Sequence, residues 1–245
     1  MDPALPWMRA GVATLWLSTG LLVVTPYYRE VGHEWLSRLG LGDWAMYICC
    51  VGEVLLGVRL LFPWGRPWAI AQGAVVLAFS VVLGTLDPLL LVHPYGMVSK
   101  NLPFLGLVAA VALVQAEGWT PRALWTLRAG MAVVWFTEGL LPKVVFQQPM
   151  ELAVVANSGL VPVDPGTFLM GLGLAQAGSG AAALLLRGRP AATLLLLQGL
   201  AVILLPALVS WQDPALWLHP FGPMTKNIPI LVGTWTAAWQ LWRTS

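Results

Sequence analysis

Polar residues in this chain come in short clusters, and between them run apolar blocks of about 19 residues, the length that crosses a hydrocarbon layer of about 30 Å at about 1.5 Å per residue. The pattern predicts helices near residues 8–25, 44–62, 67–86, 97–116, 122–141, 166–186, 190–209 and 223–242. An all-α polytopic membrane protein with eight transmembrane helices is therefore expected. Composition agrees: 58% of residues are hydrophobic and 10% are charged, and the mean hydropathy is +0.76. A polar shell cannot be made from so few charges, so the lipid bilayer is the first partner, and nothing points to nucleic acid. The first apolar run is too long for a cleaved signal peptide and lacks a small-x-small site, so it is expected to serve as its own anchor.

One stretch occurs twice. His93-Pro94-Tyr95-Gly96-Met97-Val98-Ser99-Lys100-Asn101-Leu102-Pro103 recurs at a constant offset as His219-Pro220-Phe221-Gly222-Pro223-Met224-Thr225-Lys226-Asn227-Ile228-Pro229. The Asp87-Pro88 that precedes the first copy returns as Asp213-Pro214. Other correspondences follow the same order: Arg9-Ala10-Gly11 with Arg128-Ala129-Gly130, Gly65-Arg66-Pro67 with Gly188-Arg189-Pro190, and Gln72-Gly73 with Gln198-Gly199. The pattern reads as duplication of a four-helix unit, residues 1–118 and 119–245. An even number of helices per unit makes the repeats parallel, with a pseudo-twofold axis along the membrane normal.

Charge distribution orients the chain. Arg9, Arg59, Arg66, Arg122, Arg128, Arg187, Arg189 and Arg243 fall on the side of the amino terminus, whereas Arg29, Arg38, Lys100, Lys143 and Lys226 fall opposite with most of the acids. Retention of Lys and Arg inside predicts cytoplasmic termini and outward-facing signature loops. The loop 27–43 is expected to form an amphipathic surface helix, and its counterpart, 144–165, is longer and less charged. Gly171, Gly173, Gly178 and Gly180 would allow close helix contact, and the 14 Trp suit an interfacial belt.

The residues with chemistry lie in the signature and in two helices. Pro94 and Pro220 hold His93 and His219 extended. If the following helices start near 97 and 223, Pro103 and Pro229 lie inside them and free the carbonyls of Ser99 and Thr225. His93, Lys100, Asn101, His219, Lys226 and Asn227 are then candidate ligands for an oxygen such as a quinone carbonyl or an acidic head group. The alternative is structural, with the lysines snorkelling and His and Asn capping the loop. Glu53 and Glu138 stand in apolar helices, where a carboxylate must be protonated, paired or wet; each is a candidate for catalytic proton exchange or for helix packing. Their repeat counterparts are Gln176 and Thr19. Gln72 and Gln198 read as interhelical hydrogen-bonding residues. Cys49-Cys50 reads as packing, because vicinal disulfides are strained, and no metal-ligand spacing is present.

The signature resembles that of the DoxX-like family of small bacterial membrane proteins, whose unit is a four-helix bundle. His219 to Pro229 matches closely, and His93 to Pro103 departs from it at Met97 and Val98. The resemblance implies a bacterial inner membrane location and, by its better-known relatives, an accessory redox component linked to a quinone or a membrane redox partner. Two other classes stay open: a scaffold or chaperone-like subunit for membrane proteins, and a small-solute transporter.

Overall fold

The computed structural model describes residues 2–245, and the regular elements among them are all helices, with no strand. The helices are α1 (Ala4–Leu21), α2 (Pro26–Arg38), α3 (Asp43–Leu60), α4 (Arg66–Leu86), α5 (Asn101–Glu117), α6 (Pro121–Gly139), α7 (Pro149–Ser158), α8 (Pro165–Leu185), α9 (Gly188–Gln212) and α10 (Asn227–Arg243). Local chemistry marks their starts. Pro occupies the first helical turn of α2, α6, α7 and α8, where its missing N–H costs nothing, and Thr25, Thr120 and Asp164 accept the N–H of Tyr28, Ala123 and Thr167.

Each of the eight expected long helices has a counterpart within a few residues. Four helices, α1, α4, α8 and α9, are long and apolar enough to cross a membrane, and six spans result if the bent pairs α2 with α3 and α6 with α7 each count as one. The bends of 117° and 86° lay α2 and α7 across the end of the bundle that carries the signature turns. The two expected starts at 97 and 223 are corrected. Residues 97–100 and 223–226 are turns, α5 and α10 begin at Asn101 and Asn227, and Pro103 and Pro229 fall in the first helical turn. The carbonyls of Ser99 and Thr225 accept the N–H groups of Leu102 and Ile228, so they are not free.

At the centre stand α1, α5, α6 and α10. Within each half the first helix packs on the second long one, α1 on α3 and α6 on α8; between halves, α1 packs on α10 and α5 on α6. The first long helix of each half thus leans on the last helix of the other, and one core of Met8, Val12, Phe104, Leu107, Leu127, Met131 and Ile230 runs through both halves. Apolar side chains on α4 and α9, among them Ile70, Val81, Leu204 and Leu208, point outward, as lipid-facing residues do.

Because lipid competes for apolar surface, close backbone approach has to hold such helices together. A Cβ on Gly20 would stand 2.6 Å from the Cys50 carbonyl oxygen, and one on Gly139 would stand 2.6 Å from that of Gly173. These are equivalent contacts, α1 to α3 and α6 to α8. Of the four glycines singled out on α8, Gly173 and Gly180 face α6, whereas Gly171 and Gly178 meet open space. At the far end the buried Arg128 donates to the carbonyls of Ala183, Leu184 and Leu186 and so completes the C-terminus of α8.

Gly139→Ala should lower unfolding stability in detergent by about 1–3 kcal/mol, since the clash is with backbone that cannot turn away. Gly178→Ala should leave stability unchanged or slightly raised. Equal losses in a denaturant titration of the two variants would contradict this packing.

Candidate functional site

Each signature folds into a tight turn. Gly96 and Gly222 adopt φ of +68° and +58°, a conformation that side chains resist. His93 Nδ1 accepts the Tyr95 N–H at 3.3 Å and His219 Nδ1 accepts the Phe221 N–H at 3.1 Å. The ring proton therefore sits on Nε2. Asp87 and Asp213 accept the N–H of Leu89 and Ala215, fixing the single helical turns that lead in.

The turns then cross over. Lys100 Nζ donates to the Pro223 carbonyl at 2.9 Å, and Lys226 Nζ donates to the Met97 carbonyl at 2.5 Å. Met97 and Pro223 are equivalent positions, so the two bonds are one contact made twice about the pseudo-twofold axis. Both lysines are buried and point inward, so neither snorkels. The helix α2 covers the second turn, with Tyr27 edge-on to His219 and Trp35 edge-on to Phe221.

Because of the crossover, each polar site is composite. The first is a cavity of about 70 Å³ whose lining includes Trp16 and Thr19 of α1, Glu53 of α3, Phe79 of α4, Asn101 of α5, and Phe221 and Lys226 of the second signature. Trp16 Nε1 donates to Gln72 Oε1 at 3.1 Å, and Asn101 Nδ2 donates to Ser80 Oγ at 2.9 Å, which hold the wall. Thr19 turns its hydroxyl back to the Leu15 and Trp16 carbonyls. Glu53 Oε2 and, on the second signature turn, Thr225 Oγ1 are buried with no hydrogen-bond partner among the described residues. Unpaired groups at membrane depth are costly, and beside a cavity they are ready to take a ligand oxygen or water.

The second site is built from the equivalent positions with different chemistry. Glu138, where the first half has Thr19, accepts from Ser99 Oγ, the counterpart of Thr225. The helix beyond α6 opens into a π-turn, Leu140–Val145, around Pro142. Lys143 therefore reaches back to the Glu138 carbonyl at 2.8 Å and forward to Glu151 of α7 at 2.6 Å. This ion pair is shielded, with 7% and 13% of the two side chains exposed. Removing one partner of such a pair strands the other charge. Glu138 thus finds its side-chain partner on another element, while Lys143 bonds only to its backbone.

The six signature residues and two acids singled out from sequence therefore gather at one end of the bundle, but in two sets. Asn101 and Lys226 join Glu53; Lys100 lies beside Glu138, with Lys100 Cγ and Glu138 Oε1 both within 2.7 Å of the point a Cβ on Gly96 would occupy. The histidines serve the turns, and Asn227 Nδ2 lies 3.4 Å from the Pro223 carbonyl of its own turn. Sequence reasoning singled out Ser99 and Thr225 for their carbonyls and missed their hydroxyls, and it missed Glu151. The Ser/Thr recurrence inside the signature was the available signal for the first two, and a lone acid among the apolar residues of α7 was the signal for the third. Gln198 Nε2 bonds to Ser179 of α8, as an interhelical amide should. Cys49 and Cys50 are free thiols, and Cys50 Sγ lies 3.3 Å from the Tyr28 hydroxyl. No group of three or more metal-ligating side chains occurs among the described residues.

Burial pushes both turn imidazoles down, to about 4; Lys100 adds to the effect at His93 against Asp87, and His93 and Lys226 add to it at His219. In the unfolded chain these rings take up protons near pH 6.5. Between about pH 6.5 and about pH 4 the unfolded state binds more protons, so stability should fall as pH drops through that window. The double variant His93→Asn, His219→Asn keeps an acceptor for the turn and should flatten this dependence in detergent thermal melts; an unaltered slope would assign it elsewhere.

A scan against family models matches the DoxX-like family twice, over residues 13–109 and 132–235. No curated protein and no solved structure matches the chain. The two matched segments take in both signature turns, both composite sites and well over half of the sequence, and the chain belongs to the DoxX-like family as a tandem repeat of its unit in a multi-pass membrane protein.

Proposed function

We propose that this protein is an accessory redox component of the bacterial inner membrane that holds the carbonyl end of a quinone or a similar lipophile in the Glu53 cavity. In this reading the chain crosses the bilayer eight times as two units, 1–118 and 119–245, with both termini cytoplasmic and the signature turns outside. The supporting observation is the cavity: an unpaired carboxyl oxygen and a buried ammonium among aromatic side chains, with an unpaired hydroxyl on the same signature turn. At about 70 Å³ it is far smaller than a pocket for a whole organic ligand. It suits the polar edge of a molecule whose remainder lies among the helices or in lipid.

Roles follow from the chemistry of each group. Lys226 Nζ and Thr225 Oγ1 donate to the ligand oxygen, Glu53 holds or releases a proton beside it, and Trp16, Phe79 and Phe221 exclude water. A quinone, when bound, supplies a carbonyl that becomes a hydroxyl on reduction, and the chain supplies the donor and the proton site. Glu138, tied to Ser99 and flanked by Lys100, is the second candidate for proton exchange.

One observation favours a second reading. Each signature lysine already donates one hydrogen bond to a carbonyl of the opposite turn, as a structural clasp in a scaffold for partner membrane proteins would require.

Mass spectrometry of lipids that co-purify in mild detergent separates the two. Under the ligand reading, Glu53→Gln combined with Thr225→Val should reduce a stoichiometric quinone at least about tenfold, the loss of about 1.4 kcal/mol of binding, with melting temperature nearly unchanged. Under the scaffold reading, nothing stoichiometric is bound, and Lys226→Met lowers stability by about 1–3 kcal/mol through the stranded Met97 carbonyl.

For the proton role, Glu138→Gln should abolish turnover measured with a short-chain quinone and a dithiol reductant while the protein stays folded. Full turnover in that variant would remove Glu138 from the mechanism.

A further inference from the structure

The two contacts that join the halves differ. Where α5 meets α6, a Cβ on Gly106 would lie 2.5 Å from the Gly130 Cα, so the backbones touch. Where α1 meets α10, Gly11 faces Val232, the counterpart of Gly106, whose side-chain carbons stand 3.0–3.1 Å from the Cβ position. The valine acts as a spacer. Towards the end that carries the termini, α1 and α10 leave between them a groove of about 320 Å³, walled by Trp7, Val232, Trp235 and Trp239 with Ala4 and Thr236 at its floor. Counterparts of the three indoles at the α5–α6 contact are Thr126, Ala109 and Leu113, so none of the three is aromatic there.

A cation stacks on one of the groove's walls. Arg243 lies with its guanidinium 4.4 Å over the Trp239 ring, is exposed, and has no acidic partner among the described residues. The ring holds this guanidinium in place. Asp2, beside groove residue Pro3, is turned onto the Ala4 N–H at 2.8 Å. The walls are indole faces and an aliphatic side chain, against which a length of alkyl chain packs, and a guanidinium beside it matches a phosphate.

We propose that this groove is a site for one anionic phospholipid of the leaflet at the termini end, its acyl chain along the indoles and its phosphate on Arg243. The site is independent of the Glu53 cavity, since Trp7 and Thr19 are separated by about 18 Å along α1.

Native mass spectrometry of the protein released from nanodiscs of equimolar phosphatidylglycerol and phosphatidylcholine tests it. The wild type should retain one phosphatidylglycerol per chain, preferred about fivefold over phosphatidylcholine. Arg243→Gln, at an exposed position, should bring the ratio to about one without emptying the groove. Val232→Gly should let α1 and α10 close as α5 and α6 do, and lose the retained lipid of either class. Equal retention of the two lipids by the wild type would overturn the proposal. So would a preference that survives Arg243→Gln, or a wild-type dimer that carries no lipid.

Discussion

The structure depends on two hydrogen bonds that are the same bond made twice, Lys100 to the Pro223 carbonyl and Lys226 to the Met97 carbonyl. A buried ammonium needs acceptors, and each turn offers a carbonyl at the position where the other turn delivers its lysine. Each lysine donates to a carbonyl of the other half. The exchange fixes the halves relative to one another and puts the second signature over the helices of the first half and the first signature over those of the second.

From that exchange follows the composite character of both sites. Duplication supplies equal frameworks: Gly20 and Gly139 press on equivalent backbone, the turns use the same histidine acceptor, and Asp87 and Asp213 lead into both. On these frameworks the chemistry has separated. The acid stands on α3 in one half and on α6 in the other. Consequently Thr225 lacks the carboxylate that Ser99 has, and Glu53 has no hydroxyl or lysine bonded to its second oxygen. One site is left with open valences beside a cavity; the other spends its charges on Lys143 and Glu151, which join α7 to the π-turn after Pro142.

Single residues show where sequence reasoning was sufficient and where it was not. The helices were legible because apolar length maps directly onto helix length in a bilayer, and the repeat was legible because His-Pro, Gly and Lys-Asn recur in register. The starts of α5 and α10 lie beyond the expected ones because Gly222-Pro223 suits the first position of a helix as well as it suits a turn. The carbonyl hydrogen bonds of these turns and their left-handed glycines set the boundary instead. Gly171 and Gly178 look the same in sequence as Gly173 and Gly180, and only the angular position on α8 separates those that touch α6.

By itself the sequence determined an all-helical membrane chain, its duplication, and the residues able to do chemistry, since composition, spacing and recurrence are local properties. Tertiary structure alone decided that Lys226 lines the same cavity as Glu53 and that Lys100 lies near Glu138. It also decided that the histidines belong to the turns, and that Glu151 is buried. The physical reason is that a lysine in the chain carries no record of which carbonyl will accept it; that partner is set by how the halves pack across the pseudo-twofold axis.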